Sequence, residues 1–186
     1  MKTPIIKNGW LLPTDTIKHI TSPNYDARPI ADIKQISLLV IHHITLPPHQ
    51  FGGNDICDFF MNKLDTNKHP FYQEIVNLKV SAHALIKRSG EIIQFVSFND
   101  RAWHAGKSCY QGRKACNDFS IGIELEGDEK TPYRYAQYKV LTALTKALQQ
   151  NYSAIGSHIT GHENIAPTRK TDPGPMFDWQ RYLSAL

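Results

Sequence analysis

Ser37-Leu38-Leu39-Val40-Ile41-His42-His43-Ile44 carries an apolar run straight into two adjacent histidines. Branched apolar residues without helical spacing predict a short buried strand over residues 37–44. Leu46-Pro47-Pro48 and Phe51-Gly52-Gly53-Asn54 follow at once and predict an irregular loop. The histidines therefore stand where a stiff core strand opens into a loop, a place where functional side chains collect. Neighbouring strand residues point to opposite faces, so one of His42 and His43 serves a site while the other packs or meets solvent.

Outward from that strand the chain alternates strands with helices. Asn54 is placed to cap a short helix with Ile56, Phe59, Phe60 and Leu64 as its apolar positions. Residues 81–98 predict a hairpin turning at Ser89-Gly90, and residues 120–126 a strand in which Ile121, Ile123 and Leu125 alternate with Gly122, Glu124 and Glu126. Tyr135, Tyr138, Leu141, Leu144, Leu148 and Tyr152 form one apolar stripe, predicting a core helix over about 132–151. A brief strand over 158–162, a Pro-rich loop over 163–175 and a closing helix over 177–186, packed through Phe177, Trp179, Tyr182 and Leu183, complete the chain. Residues 1–36, with Ser22-Pro23-Asn24 and Arg28-Pro29 as turn signals, read as an irregular arm over the surface. The pattern predicts one domain over residues 1–186 of the α/β (α+β) class, with a central mixed sheet flanked by helices.

The chain has 186 residues, 41% hydrophobic and 20% charged, enough to bury a core without disulfides. Its net charge of +4 comes from scattered basic residues, with no dense stripe of the kind that binds nucleic acid. Three cysteines, Cys57, Cys109 and Cys116, cannot all pair within one chain, and no run of about 18 apolar residues predicts a membrane helix. With no secretory signal read at Ile5-Ile6-Lys7, these features predict a cytoplasmic protein without membrane insertion. The sequence gives no sign of an obligate protein partner.

Three residues have the chemistry of a metal site. His42 ends its strand, His162 closes Ile159-Thr160-Gly161-His162, and Asp172 opens Asp172-Pro173-Gly174-Pro175. Two imidazoles and one carboxylate leave a tetrahedral zinc one open position, as in catalytic rather than structural sites. His158 lies four residues before His162, but the intervening Ile159, Thr160 and Gly161 disfavour a helix. His162 is the preferred ligand because it abuts the loop leading to Asp172. Each residue taken singly also fits an ordinary role, as a packed strand-end histidine or a turn aspartate. Lys170, two residues before Asp172, is placed to face an oxyanion or to be a solvated surface lysine. Glu124 and Glu126 share one strand face, and Gly122 and Gly127 suggest that something approaches that strand closely.

Together these segments resemble a known family. Leu39-Val40-Ile41-His42, Val80-Ser81-Ala82-His83, Ala102-Trp103-His104-Ala105-Gly106, Asn117 to Gly127, Gly161-His162 and Lys170-Thr171-Asp172-Pro173-Gly174-Pro175 run in the order found in the N-acetylmuramoyl-L-alanine amidases that act on 1,6-anhydro-muropeptides in bacterial cell-wall recycling. The fold is similar to that of phage-lysozyme-type amidases and peptidoglycan recognition proteins. The resemblance implies a zinc ion on His42, His162 and Asp172, with Glu124 and Lys170 as catalytic residues. The implied substrate is a small anhydro-muropeptide, contacted by His43, Lys79, Ala102, Trp103, His104 and Arg113. The chain departs from the family pattern at three places: His43 where Asn is frequent, Lys79 where Arg is found, and Ala115 where a basic residue often precedes Cys116. The rival readings are an amidase cutting polymeric peptidoglycan and a non-catalytic muropeptide-binding module.

Overall fold

The computed structural model describes residues 3–29 and 35–186. Four short strands lie in the N-terminal part: β1 (Ile6–Lys7), β2 (Trp10–Leu11), β3 (Ile17–His19) and β4 (Tyr25–Asp26). The central strand β5 (Leu38–Ile44) matches the predicted position, with Leu38 through Ile41 wholly buried. Then come α1 (Asp55–Phe60), α2 (Phe71–Ile75), β6 (Ala84–Ile86), β7 (Ile92–Gln94), β8 (Arg101–Ala102), β9 (Cys109–Tyr110) and β10 (Arg113–Lys114). The rest is β11 (Ser120–Glu126), α3 (Tyr135–Asn151), β12 (Ile159–Gly161), α4 (His162–Ile165) and α5 (Trp179–Ser184).

Six strands form one mixed sheet in the order β12-β5-β11-β6-β7-β3, the fold class read from the sequence. β12, β5, β11 and β6 are parallel, β6 and β7 form the antiparallel hairpin, and β3 runs parallel to β7. Parallel strands covered on both faces need apolar residues at nearly every position, which the Leu38–Ile41 run provides. Leu39, Ile41, Ile121, Ile123 and Leu125 pack with Val140, Leu141, Leu144 and Leu148 of α3. Leu38 and Val40 pack on the other face with Ala105, Cys116, Phe119 and Ile165. His42 continues this second series by strand alternation, and the register pairs Glu124 with His42. One face thus belongs to the core helix, and the other carries the polar residues at the strands' C-terminal ends. Gln137 ties helix to sheet: its Nε2 donates to the Glu126 carbonyl at 2.9 Å while its Oε1 accepts from the Arg134 amide.

Several expectations need correction. Residues 1–2 and 30–34 of the N-terminal arm lie outside the described residues, and the rest is not irregular: β1 and β2 pair around Asn8-Gly9, both at positive φ, and β3 is an edge strand of the main sheet. A three-residue strand is too short to show alternation, and its partner β7 is far away in sequence. The Gln94 side chain pins the arm, accepting from the Leu11 amide at 2.8 Å and donating to the Gly9 carbonyl at 2.9 Å. Asn54 precedes α1 but makes no side-chain cap. α3 begins at residue 135, so Tyr135, placed on the apolar stripe, is exposed at the helix's first turn. Leu183, expected to pack, is also exposed, while Phe177 and Tyr182 are buried as expected. α5 is capped by Asp178, whose carboxylate accepts from the Arg181 amide.

Candidate active site

The ends of β5, β11 and β12 bring the first set of residues together. In β12, Gly161 pairs with Ile41, so His162 emerges beside His42. His162 is the first residue of α4 rather than the last of a strand, and the loop after α4 returns Asp172 to the same point. A Cβ on Gly161 would sit 2.7 Å from Pro173 Cδ, so glycine is what lets the Asp172-Pro173 corner close on the sheet. The three side chains are all buried and their donor atoms converge. His42 Nδ1 lies 3.0 Å from His162 Nδ1 and 2.9 Å from Asp172 Oδ2, and His162 Nδ1 lies 3.1 Å from the same oxygen.

The protonation pattern shows what this cluster lacks. His162 Nε2 stands 3.1 Å from the Ala105 carbonyl oxygen, which can only accept, so Nε2 carries the hydrogen. Its Nδ1 then points a lone pair at a carboxylate oxygen and at a second imidazole. A cation among the three atoms would turn that lone-pair repulsion into attraction. Bonds of about 2.0–2.1 Å around a tetrahedral zinc place donors about 3.3 Å apart, a few tenths wider than observed. The donor set fits a metal ion. Burial lowers His42 to about 4, against the opposing pull of Asp172, so the ring is neutral and available as a ligand at pH 7. Burial would raise Asp172, but its setting against the His162 and His42 imidazoles outweighs burial and holds the carboxyl well below its usual range.

Around the cluster opens a pocket of about 370 Å³, lined by His42, His43, Trp103, His104, Glu124, His162, Lys170 and Asp172 on its polar side. Glu124 is buried, and its Oε2 has no hydrogen-bond partner among the described residues. Burial first, then the nearby Asp172 charge, push its pKa well above the usual carboxylate range, with Lys170 opposing. Lys170 is exposed on the pocket rim. Glu126, on the same strand face, is committed elsewhere, accepting from the Gly52 and Arg88 amides. The other wall is apolar, made by Leu46, Pro48, Phe59, Phe60, Phe71, Ile75 and Val80.

A pocket with three metal donors, an unpaired buried carboxylate and an adjacent lysine has the parts of a hydrolytic centre. The sequence profile described as N-acetylmuramoyl-L-alanine amidase matches residues 32–175. The chain belongs to that family. The 1,6-anhydro-N-acetylmuramyl-L-alanine amidase AmpD of Enterobacter cloacae is 52% identical over 182 residues, covering 98% of this chain and 95% of that one. The crystal structure of a Se-Met AmpD derivative superposes with a TM-score of 0.91 at 52% identity, covering 98% of this chain and 99% of the other. The N-acetylmuramyl-L-alanine amidase AmiD of E. coli, in complex with anhydro-N-acetylmuramic acid-L-Ala-D-γ-Glu-L-Lys, gives 0.61 at 27% identity, over 98% of this chain and 65% of that one.

Of the six expected substrate contacts, His43, Trp103 and His104 line this amidase pocket. The other three do not. Ala102 is wholly buried among core residues of the α1 side. Arg113 stacks on Phe119, with its guanidinium carbon 3.8 Å from the ring centroid, and lines a separate depression with Tyr110 and His158. Lys79 is exposed between Leu78 and Val80, and only Leu78 and Val80 reach the pocket wall. Both strand histidines border the pocket, contrary to the expectation that only one would, because it opens where β5 ends and both faces meet it. Phe59 and Phe60, apolar positions of the predicted short helix, are buried and also form pocket wall.

The close approach suggested by Gly122 is the His104 ring, which an added Cβ would overlap; at Gly127 it is Tyr133. Gly122→Ala should therefore displace His104 and cost about 1–3 kcal/mol of stability, as overpacked buried sites do. Denaturant melts check this, and an unchanged midpoint would mean that the ring moves freely.

Proposed function

We propose that this amidase hydrolyses the amide joining the lactyl group of 1,6-anhydro-N-acetylmuramic acid to L-Ala of a stem peptide, with zinc as its metal, in recycling of cell-wall fragments. The observation that carries the reading is the buried triad His42, His162 and Asp172 beside the unpartnered Glu124 carboxylate. The names of the full-length relatives and the ligand in the AmiD complex support the substrate class. Bound by His42 Nδ1, His162 Nδ1 and Asp172 Oδ2, zinc supplies Lewis acidity, which makes water more acidic and stabilises charge on oxygen.

The protein residues then divide the remaining work. Glu124 takes a proton from the attacking water as its oxygen bonds to the carbonyl carbon. The same carboxyl returns that proton to the amide nitrogen as the C–N bond breaks, giving a free carboxylate on the sugar and a free amine on the peptide. Lys170 at the rim faces the oxyanion that develops on the carbonyl. The apolar wall and Trp103 hold the uncharged parts of the substrate. Cys57, Cys109 and Cys116 are all unpaired, which supports a reducing, cytoplasmic setting. Among the described residues no helix is long and apolar enough to cross a membrane.

The test compares substrates. Zinc-loaded protein should release anhydro sugar and free peptide from an anhydro-muramyl tripeptide far faster than it releases peptide from intact sacculi. Equal rates on sacculi would replace this reading with that of a polymer-cutting amidase.

A further inference from the structure

Both imidazoles of the triad are anchored at their far nitrogens by two consecutive residues of one loop. His42 Nε2 is 2.9 Å from His104 Nδ1, and His162 Nε2 is 3.1 Å from the Ala105 carbonyl. The His104 ring is itself held at its other end, Nε2 to Ser120 Oγ at 3.2 Å, and lies so near Gly122 that an added Cβ would overlap it. Both amides of the 104–105 dipeptide are held by a single atom: Asn117 Oδ1 accepts from the His104 amide at 3.1 Å and from the Ala105 amide at 2.7 Å, while the Ala105 carbonyl also accepts from Arg169 Nη2 at 2.6 Å. Asn117 sits in the tight turn immediately before β11, and its own carbonyl accepts from the buried Arg28 guanidinium at 2.9 Å. A shift of this dipeptide would therefore disturb both rings at once.

We propose that Asn117 is a positioning residue for the metal centre: its side-chain oxygen sets the 104–105 backbone, which fixes His42 and His162 with Nδ1 presented to the ion. The Ala105 carbonyl, which can only accept, requires Nε2–H on His162. For His42 the metal sets the direction: with Nδ1 bare for the ion, Nε2–H donates to His104 Nδ1 and His104 Nε2–H donates to Ser120 Oγ. Hydrogen bonds from the far nitrogen of a metal-bound histidine fix ring and tautomer, and losing such a partner typically costs about 10–100-fold in metal affinity. Here one residue governs two such bonds. This rests on the metal-dependent reading above, and it assigns His104 to ligand orientation rather than to substrate alone.

The test uses Asn117→Ala, Asn117→Asp and His104→Ala in the full chain. Zinc affinity is read by chelator competition, and the imidazole tautomers by long-range proton–nitrogen NMR of the zinc-free protein. Asn117→Ala should weaken zinc by roughly 10–100-fold and blur the Nε2–H signature of both rings. Asn117→Asp, which keeps an oxygen for both amides, should restore most of the affinity and the tautomer pattern. His104→Ala should disturb His42 and spare His162, and it decides the matter if Asn117→Ala does not fold. Unchanged affinity with intact tautomers in Asn117→Ala, or an undisturbed His42 in His104→Ala, overturns the proposal. Because the spectra are recorded without metal or substrate, a wild-type protein that failed to bind zinc or cleave the anhydro-muropeptide would sink the functional reading separately.

Discussion

Replacing Glu124 by glutamine should lower turnover by roughly 10²–10⁴-fold, the usual contribution of a positioned general base, while zinc content stays at the wild-type level. Glutamine has nearly the same shape but cannot take a proton. Glu124 is not a ligand in the triad, and its Oε2 meets no donor among the described residues. Burial and the Asp172 charge raise its pKa well above the ordinary carboxylate range, which gives the same substitution a second signature. In the zinc-free protein, a folded pKa above the unfolded value of about 4.3 means the folded state holds the proton more tightly. The resulting stabilisation is complete below the unfolded pKa and fades as pH rises through the folded one. Glutamine has no such loss, so zinc-free Glu124→Gln should gain in Tm relative to wild type as pH is raised from acid toward neutral. Wild-type kcat in the variant would remove Glu124 from the reaction, and a Tm difference independent of pH would show that its burial is not strained.

What could be read from the sequence depended on how local the signal was. Leu38–Ile41 announces a buried parallel strand because apolar residues occupy every position, and α3 announces itself by spacing alone. β3 carries no comparable signal: three residues, with their stability supplied by pairing with β7. The triad was identifiable from residue chemistry and loop position, since histidines and an aspartate at the ends of stiff elements have few other uses in combination. Substrate contacts were harder. Ala102 sits in a segment that matches the family motif and Arg113 beside the departure at Ala115, yet Arg113 stacks on Phe119 and Ala102 faces the core. A motif fixes the order of residues along the chain but not which face each one presents once short strands such as β8 and β10 have paired. Gly122 is the instructive middle case. The sequence said that something approaches β11 closely, and the structure names it as His104, a residue 18 positions earlier whose role depends on where the loop folds back.

Removing the carboxylate ligand should produce the other large effect. Asp172→Ala should leave the purified protein with far less than one equivalent of zinc and with turnover near background. The loss of affinity should exceed the roughly 10–100-fold typical of losing an outer hydrogen-bond partner. The argument is electrostatic. His42 and His162 are neutral donors in a buried site, and Asp172 Oδ2, within 2.9 and 3.1 Å of their Nδ1 atoms, is the only anionic atom among the three donors. A divalent cation transferred from water into such a site keeps a large uncompensated charge unless a carboxylate shares it. Glu124 cannot easily substitute, because its strand holds it beside His42 rather than at the Asp172 corner. Metal analysis after dialysis reads the outcome directly, and Asp172→Asn, which keeps the oxygen and loses the charge, separates charge from geometry. Loss of zinc in both variants means that charge decides; retention in the asparagine variant alone means that donor placement does. Full occupancy in Asp172→Ala would show that the ion takes its third protein ligand elsewhere.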